Sequence, residues 1–285
     1  MPTEPGRENV DTLPWAHLRL PPFPQVAIRV LQLAHSESVQ LHQLSELISS
    51  DPAFASEVLT VANSALYAPR YPSNSILQAI AVLGANTLQG MCITVGVRAY
   101  LGKSMSHPSM QSLWRHNLAC AILAERMASV GFLDKDTAYT CGILHDIGRI
   151  ALAVIQPKDY ANLLGTHRGT PESILEGERQ LFGWDHCETG QRLIGEWKLP
   201  AALEAIVSAH HCDTRKDGAW DMPELIKISC KMADAVGFPT FPGCETTPYQ
   251  ELLDQVPARE RRLFSADLAT LTQEVTNSIH AIESV

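Results

Sequence analysis

Apolar residues recur at spacings of three and four along most of this 285-residue chain, and no alternating polar and apolar run of useful length competes with them. Val26, Val30 and Leu33 line one helix face. Leu41, Leu44, Leu47 and Ile48 line a second, and Phe54, Val58, Val61 and Ala65 a third. An all-α fold follows, because a period of 3.6 residues gathers such side chains on one stripe, whereas a strand would turn them to opposite faces. The punctuation agrees. Asp51 can cap a helix that Pro52 begins, Ser73 or Ser75 can cap one carrying Ile76, Ala79, Ile80 and Leu83, and Gly84 can stop it. A further apolar helix is predicted from near Asn86 to Tyr100.

The pattern divides the chain into two packed helical subdomains. Residues 1–18 read as a loose polar tail, and Leu20-Pro21-Pro22-Phe23-Pro24 stiffens the entry into a helical part spanning 19–105. Gly102 to Pro108 is a small-residue gap, and a second helical part is predicted over 106–240. Its helices fall near 110–130, 135–146, 158–165, 171–182, 186–197, 200–211 and 223–236, with breaks at Gly131, Gly148, Pro157, Gly169, Pro200 and Gly237. Residues 241–285 read as a loop followed by a more polar helical segment, in which Arg259-Glu260-Arg261-Arg262 is a solvated, ion-paired face.

Charge and cysteine usage narrow the function. Twenty-two Lys and Arg against 31 Asp and Glu give a net charge of -9, so the whole-chain field repels nucleic acid and anionic membrane, and binding to neither is expected. The first 25 residues lack a basic start with an apolar core, and no uncharged apolar stretch reaches the roughly 18–20 residues of a bilayer span. A cytoplasmic location is expected. The seven cysteines, at 92, 120, 141, 187, 212, 230 and 244, form no CxxC pair, which favours free thiols over a disulfide framework or a thiolate zinc site.

Candidate chemistry lies in the second half. His116 shares a stripe with Leu113, Cys120, Leu123 and Met127, so its ring points inward. His145-Asp146 ends an apolar helix. His186 follows Asp185, which forms a capping-box pattern with Glu188, and His210-His211 closes the helix begun at Pro200. Asp234 lies on an apolar stripe with Ile226 and Cys230, where an inward carboxylate is costly unless paired or metal-bound. Each residue alone fits a satisfied core group. Together they supply five imidazoles and two carboxylates on inner faces or helix ends, which suits one or two divalent transition-metal ions: iron, manganese, zinc or nickel.

This constellation resembles the HD superfamily of metal-dependent phosphohydrolases, whose His, His-Asp and distant Asp match His116, His145, Asp146 and Asp234. His186, His210 and His211 match the added histidines of its two-metal phosphodiesterase branch. The first half resembles a narrower group, the HDOD domain of bacterial signalling proteins. The matching segments are Leu20 to Pro24, Asp51-Pro52-Ala53-Phe54, Val61-Ala62-Asn63-Ser64-Ala65 and Ala79 to Gly84, with Trp184 to Gly190 and Trp197 to Pro200 further on. The resemblance implies an all-helical HDOD bundle with a regulatory role. HDOD domains commonly lack several metal ligands, and here the set is complete. No Gly-Tyr-Pro motif follows His210-His211, so the resemblance does not extend to cyclic di-GMP as substrate. Ser112 stands where some relatives place a glutamate for an additional ion.

Two functions follow from the resemblance. In the enzyme, Asp146 bridges two ions, His116, His145 and Asp234 hold the first, His186, His210 and His211 hold the second, and Arg149 binds phosphate. Asp146 and Arg149 are then the catalytic candidates. In the binding module, the helical surface recognises a signalling protein or a nucleotide, and the ligands hold a structural ion or none. Residues 1–18 are too few to fold as a receiver or sensor, so the input is expected from a partner or ligand.

Overall fold

Asp51 accepts the backbone N–H groups of Ala53 and Phe54 at 3.1 Å each, and Pro52 takes the first helical position behind it. Ser75 caps the next helix through the N–H of Gln78, and Gly84 ends it with a φ of 89°. These local signals recur along the computed structural model, which describes residues 22–34, 41–67, 69–211, 220–264 and 267–284. The first helical part holds α1 (Gln25–Ala34), α2 (Leu41–Ser49), α3 (Pro52–Ala62), α4 (Ile76–Leu83) and α5 (Ala85–Leu101). After a short 3-10 turn, Gly102–Ser106, come α6 (Pro108–Ala128), α7 (Lys135–Leu144), α8 (Ile147–Ile155), α9 (Pro157–Thr166) and α10 (Ile174–Phe182). Then follow α11 (His186–Glu196), α12 (Ala201–Ala209), α13 (Met222–Ala235), α14 (Tyr249–Gln255), α15 (Ala258–Arg261) and α16 (Leu268–Glu283). Among the described residues there is no strand, only an isolated bridge between Gly169 and Cys244. The fold is all-α.

One contiguous apolar core runs from Phe23 to Ile282. The long helix α5 packs on α1 and α3 on one side and on α7 on the other, so it joins the two helical parts. Phe23, Tyr100 and Trp197 reinforce the junction: the Phe23 and Trp197 ring centroids lie 4.7 Å apart and those of Tyr100 and Trp197 6.2 Å apart. Asn63 closes the loop after α3 by donating to the Ser73 carbonyl at 2.9 Å and accepting the Ser73 N–H at 2.7 Å. That exchange gives the Asn63-Ser64 motif a structural task. The segment after His211, with the residues that replace Gly-Tyr-Pro, lies outside the described residues, as do Leu20 and Pro21.

One element departs from the sequence reading. Residues 135–146 were expected as one helix with a stop at Gly148, but α7 ends at Leu144, the chain turns at His145–Asp146, and α8 runs through Gly148. Gly148 is there for close packing. A Cβ on it would meet the carbonyl oxygen of His186 at 1.9 Å and the nitrogen of Gly190 at 2.5 Å. Across the crossing, a Cβ on Gly190 would meet Val207 Cγ1 at 2.3 Å. Backbone therefore touches backbone where α8 crosses α11, and this sets Asp146 beside His186. Gly148→Ala is expected to cost about 3 kcal/mol or more, because neither backbone can yield as a flexible side chain would. Urea unfolding checks this, and a loss below about 1 kcal/mol would mean that the helices separate easily.

The stretch Lys135–Ile155 is, by length and composition, apolar enough to cross a membrane. It comprises α7 and α8 with the turn between them, and 83% of its most apolar window is buried inside the protein, so its apolarity is that of a core.

Candidate metal centre

Four helix ends and two helix faces converge on one buried volume. His116 projects from the middle of α6, Cys230 and Asp234 from successive turns of α13, and His145 and Asp146 from the α7–α8 turn. His186 opens α11, where Asp185 and Glu188 form the expected capping box, and His210 and His211 follow α12. His116, His145, Asp146, Arg149, His186, His210 and Asp234 are all buried. His211 is partly exposed and adjoins the segment outside the described residues.

The hydrogen bonds fix where the lone pairs point. His116 Nδ1 lies 2.8 Å from the Phe238 carbonyl, His145 Nδ1 2.7 Å from Gly142, and His210 Nδ1 3.0 Å from Val207. His186 Nδ1 lies 2.6 Å from a Glu178 carboxylate oxygen. Carbonyls and carboxylates only accept, so in each ring Nδ1 carries the proton and Nε2 offers a lone pair. Those lone pairs meet other acceptors. His210 Nε2 is 3.2 Å and His186 Nε2 3.4 Å from Asp146 Oδ1, and His145 Nε2 is 3.7 Å from Asp146 Oδ2. The buried atoms His145 Nε2, His211 Nε2 and Asp146 Oδ2 have no hydrogen-bond partner.

Facing acceptors in a dry interior repel unless a proton or a cation lies between them. A proton does not serve at His145, His210 or His211, whereas His186, against burial and Arg149, is raised to about 10 by Glu178 and Cys187, and His116, against burial, is raised by Cys230 and Asp234. Burial, with the neighbouring His210 and His116, holds His145 down to about 3, and burial also lowers His210 and, further, His211. Burial alone would raise the Asp146 carboxyl, yet Arg149 and the surrounding imidazoles hold it well below its usual range, so it is ionised. A divalent ion fits instead. Nitrogen and oxygen ligands about 2.0–2.1 Å from a tetrahedral ion sit roughly 3.3 Å apart, close to the separations around Asp146 Oδ1.

The donors form two groups, each with its ligand atoms within 4.8 Å of one another. Asp146, His186, His210 and His211 make one, and His116, His145 and Cys230 the other. Six of the seven expected ligands thus lie in these groups, and Asp234 does not. Its Oδ1 accepts from Thr240 N at 2.8 Å and Thr240 Oγ1 at 2.9 Å, and it stands 3.4 Å from His116 Nδ1, on the far side of that ring.

Arg149 lies within the first group. Its Nε is 3.0 Å from Asp146 Oδ2 and its Nη2 is 3.2 Å from His186 Nε2, while Nη1 has no hydrogen-bond partner. A guanidinium is a donor only, so the His186 contact also requires a neutral ring with its proton on Nδ1. The sequence offered it as a phosphate binder, and the structure buries it as the cation of the first group.

Two residues were missed. Cys230 marked an apolar stripe in the sequence, and its thiol enters the second group at 3.5 Å from His116 Nε2. Burial, the first and largest influence on it, pushes this thiol up to about 12. Glu178, which the sequence did not single out, accepts from His186 N at 2.9 Å and from His186 Nδ1 and Tyr160 Oη at 2.6 Å each. A carboxylate behind a ligating imidazole fixes the tautomer and raises the basicity of the other nitrogen. Its signal was its place between Ile174 and Phe182 on one buried stripe of α10.

Burial would raise the Glu178 carboxyl, but His186, Arg149 and Tyr160 together bring it down to about 2. A depressed carboxyl adds stability above its unfolded value near 4.3, and that stability is lost as pH falls toward 2. In metal-free protein, Glu178→Gln is therefore expected to flatten the fall in unfolding free energy between pH 5 and pH 3, removing about 1.5 kcal/mol of it. Equal slopes for parent and variant would remove Glu178 from this role.

The fold has solved counterparts. An HDOD domain protein of Geobacter sulfurreducens superposes with a TM-score of 0.71 at 21% identity, covering 93% of each chain. A protein of Shewanella amazonensis that carries the name phosphohydrolase gives 0.64 at 22% identity, covering 92% of each. A signal-transduction-named protein of Marinobacter aquaeolei gives 0.68 at 20%, covering 97% of this chain and 61% of that one. At these identities the likeness is one of fold. An uncharacterized protein of Treponema pallidum is 25% identical over 197 residues, which span 67% of this chain and 37% of that relative. The HDOD domain family model matches residues 20–212, most of the helical core and all but two of the residues discussed above as ligands, and the chain belongs to the HDOD family.

Proposed function

We propose that the protein is an HDOD regulatory module that holds a divalent transition metal in its buried histidine and aspartate centre. One observation carries this reading: imidazoles with Nδ1 engaged turn Nε2 lone pairs onto Asp146, at separations suited to a shared cation. His186, His210, His211 and Asp146 would hold one ion, with His116 and His145 next to them. Asp234 would steady His116 from its Nδ1 side. An ion there ties α6, α7, α8, α11 and α12 together, so its binding changes the stability of the surface offered to a signalling protein or nucleotide.

A second reading, phosphoester hydrolysis, is favoured by Arg149. Its unpartnered Nη1 lies beside Asp146, where a guanidinium can meet a phosphoryl oxygen. A metal would supply Lewis acidity and an activated water to such a reaction. Burial of nearly every donor weighs against substrate access and ranks this reading second.

The test compares thermal unfolding with turnover of cyclic dinucleotides, nucleotides and artificial phosphodiesters, using protein loaded with zinc, manganese, iron or nickel. The expected result is a higher Tm with at least one metal and no turnover. Metal-dependent hydrolysis that disappears in Asp146→Asn would replace the regulatory reading with the enzymatic one.

A further inference from the structure

We propose that Cys230 is a metal ligand, and that His116, His145 and Cys230 form a thiolate-containing position for a zinc-class ion, distinct from the position around Asp146. This rests on the metal-centre reading above and adds to it the identity of the donor and the class of ion.

The argument begins with a mismatch between donors and acceptors. His116 and His145 both commit Nδ1 to backbone carbonyls, so two Nε2 lone pairs face the Cys230 sulfur. A thiol has one proton and can satisfy one of them. His116 Nε2 takes the 3.5 Å contact, and His145 Nε2 is left buried with no hydrogen-bond partner. An ion satisfies all three atoms at once, and on binding it displaces the Sγ proton to solvent.

Distance supports the same conclusion. A tetrahedral zinc-class ion with a sulfur at about 2.3 Å and an imidazole nitrogen at about 2.0–2.1 Å requires the two ligand atoms to lie roughly 3.6 Å apart. The Cys230 Sγ to His116 Nε2 separation is 3.5 Å. The carboxylate that the HD pattern offers here stands outside the ligand group: Asp234 Oδ1 is held by Thr240 N and Oγ1, and Oδ2, buried without a hydrogen-bond partner, does not join the three donor atoms. Cys230, one helical turn before Asp234 on α13, presents its sulfur where that carboxylate does not reach.

The neighbouring charges differ between the two positions. Around Asp146 a guanidinium is already present, with Arg149 contacting both Asp146 and His186. The Arg149 charge also acts on Cys230, but among the described residues no guanidinium contacts His116, His145 or Cys230, so an incoming cation meets less opposition there. A His2Cys set is soft, and it favours zinc, cobalt or ferrous iron over manganese and magnesium. The fourth ligand would be water or Asp146 Oδ2, which stands 3.7 Å from His145 Nε2.

The test is Co(II) titration of the full-length, metal-stripped, untagged protein. The expected result is a near-ultraviolet sulfur-to-cobalt charge-transfer band that saturates with the first equivalent. The band should vanish in Cys230→Ser and in Cys230→Asp, and persist in Cys120→Ser, Cys141→Ser and Cys187→Ser. Cys230→Asp should also shift preference toward manganese. X-ray absorption on zinc-loaded parent protein needs no variant, and one sulfur in the zinc shell is expected. Cobalt binding without the band, a band indifferent to Cys230, or a zinc shell of nitrogen and oxygen alone would overturn the thiolate position while leaving the metal centre intact. No cobalt or zinc bound at all would overturn both.

Discussion

Asp146→Ala is expected to lower folding stability by about 3–5 kcal/mol and to abolish metal retention at the position it forms with His186, His210 and His211. The carboxylate is buried and ionised, and its Oδ2 lies 3.0 Å from Arg149 Nε in an equally buried guanidinium. Removing it strands that cation in a dry interior beside His186, which Glu178 and Cys187 raise, against burial and Arg149, to about 10. For a chain of this size the change corresponds to a fall in Tm of roughly 10 °C. Metal retention at that position fails for a separate reason: Asp146 is its only carboxylate, so its loss leaves an ion there without a charged oxygen donor. Thermal unfolding and metal content after dialysis measure the two effects independently. Parent-like stability with metal retained would contradict the position assigned to Asp146.

Arg149→Met is expected to make stability depend on metal. Without an ion the variant leaves the Asp146 carboxylate unpaired in the interior, which costs about 3 kcal/mol. With an ion present that cost disappears, because the ion takes the place of the guanidinium charge. The same free energy then appears as tighter binding, roughly 100-fold at about 1.4 kcal/mol per tenfold. His186 Nε2, which Arg149 engages at 3.2 Å, also becomes available. Competition with a chromophoric chelator gives the affinity, and unfolding with and without metal gives the linkage. Affinity that is unchanged or weaker would show that Arg149 assists the ion rather than competing with it. The Asp146→Ala, Arg149→Met double variant should be less destabilised than the sum of its parts, since neither charge is then stranded.

Much of this arrangement could be read from the sequence because it depends on local periodicity. The Asp51, Ser75 and Asp185 caps are set by residues two or three positions apart, and the structure forms each of them. The inward face of His116 followed from its stripe, and the placing of His210 from the end of α12. Gly148 misled because a glycine that ends a helix and one that lets two backbones touch look alike until α11 is in place. Cys230 was overlooked because thiolate sites are recognised by paired cysteines, and here its partners are histidines on α6 and at the end of α7. The enclosure of Arg149 by Asp146 and His186 was hidden as well, because nothing in the chain's linear order says that they will surround it. These three features share a cause: each is defined by contact between helices far apart in sequence.

Elemental analysis of full-length protein purified without a histidine tag tests the metal-centre claim most directly. The account predicts one to two equivalents of a transition metal, or their uptake by stripped protein during incubation with iron, manganese, zinc or nickel. Protein that is metal-free as purified, and still metal-free after each of those incubations, would contradict it.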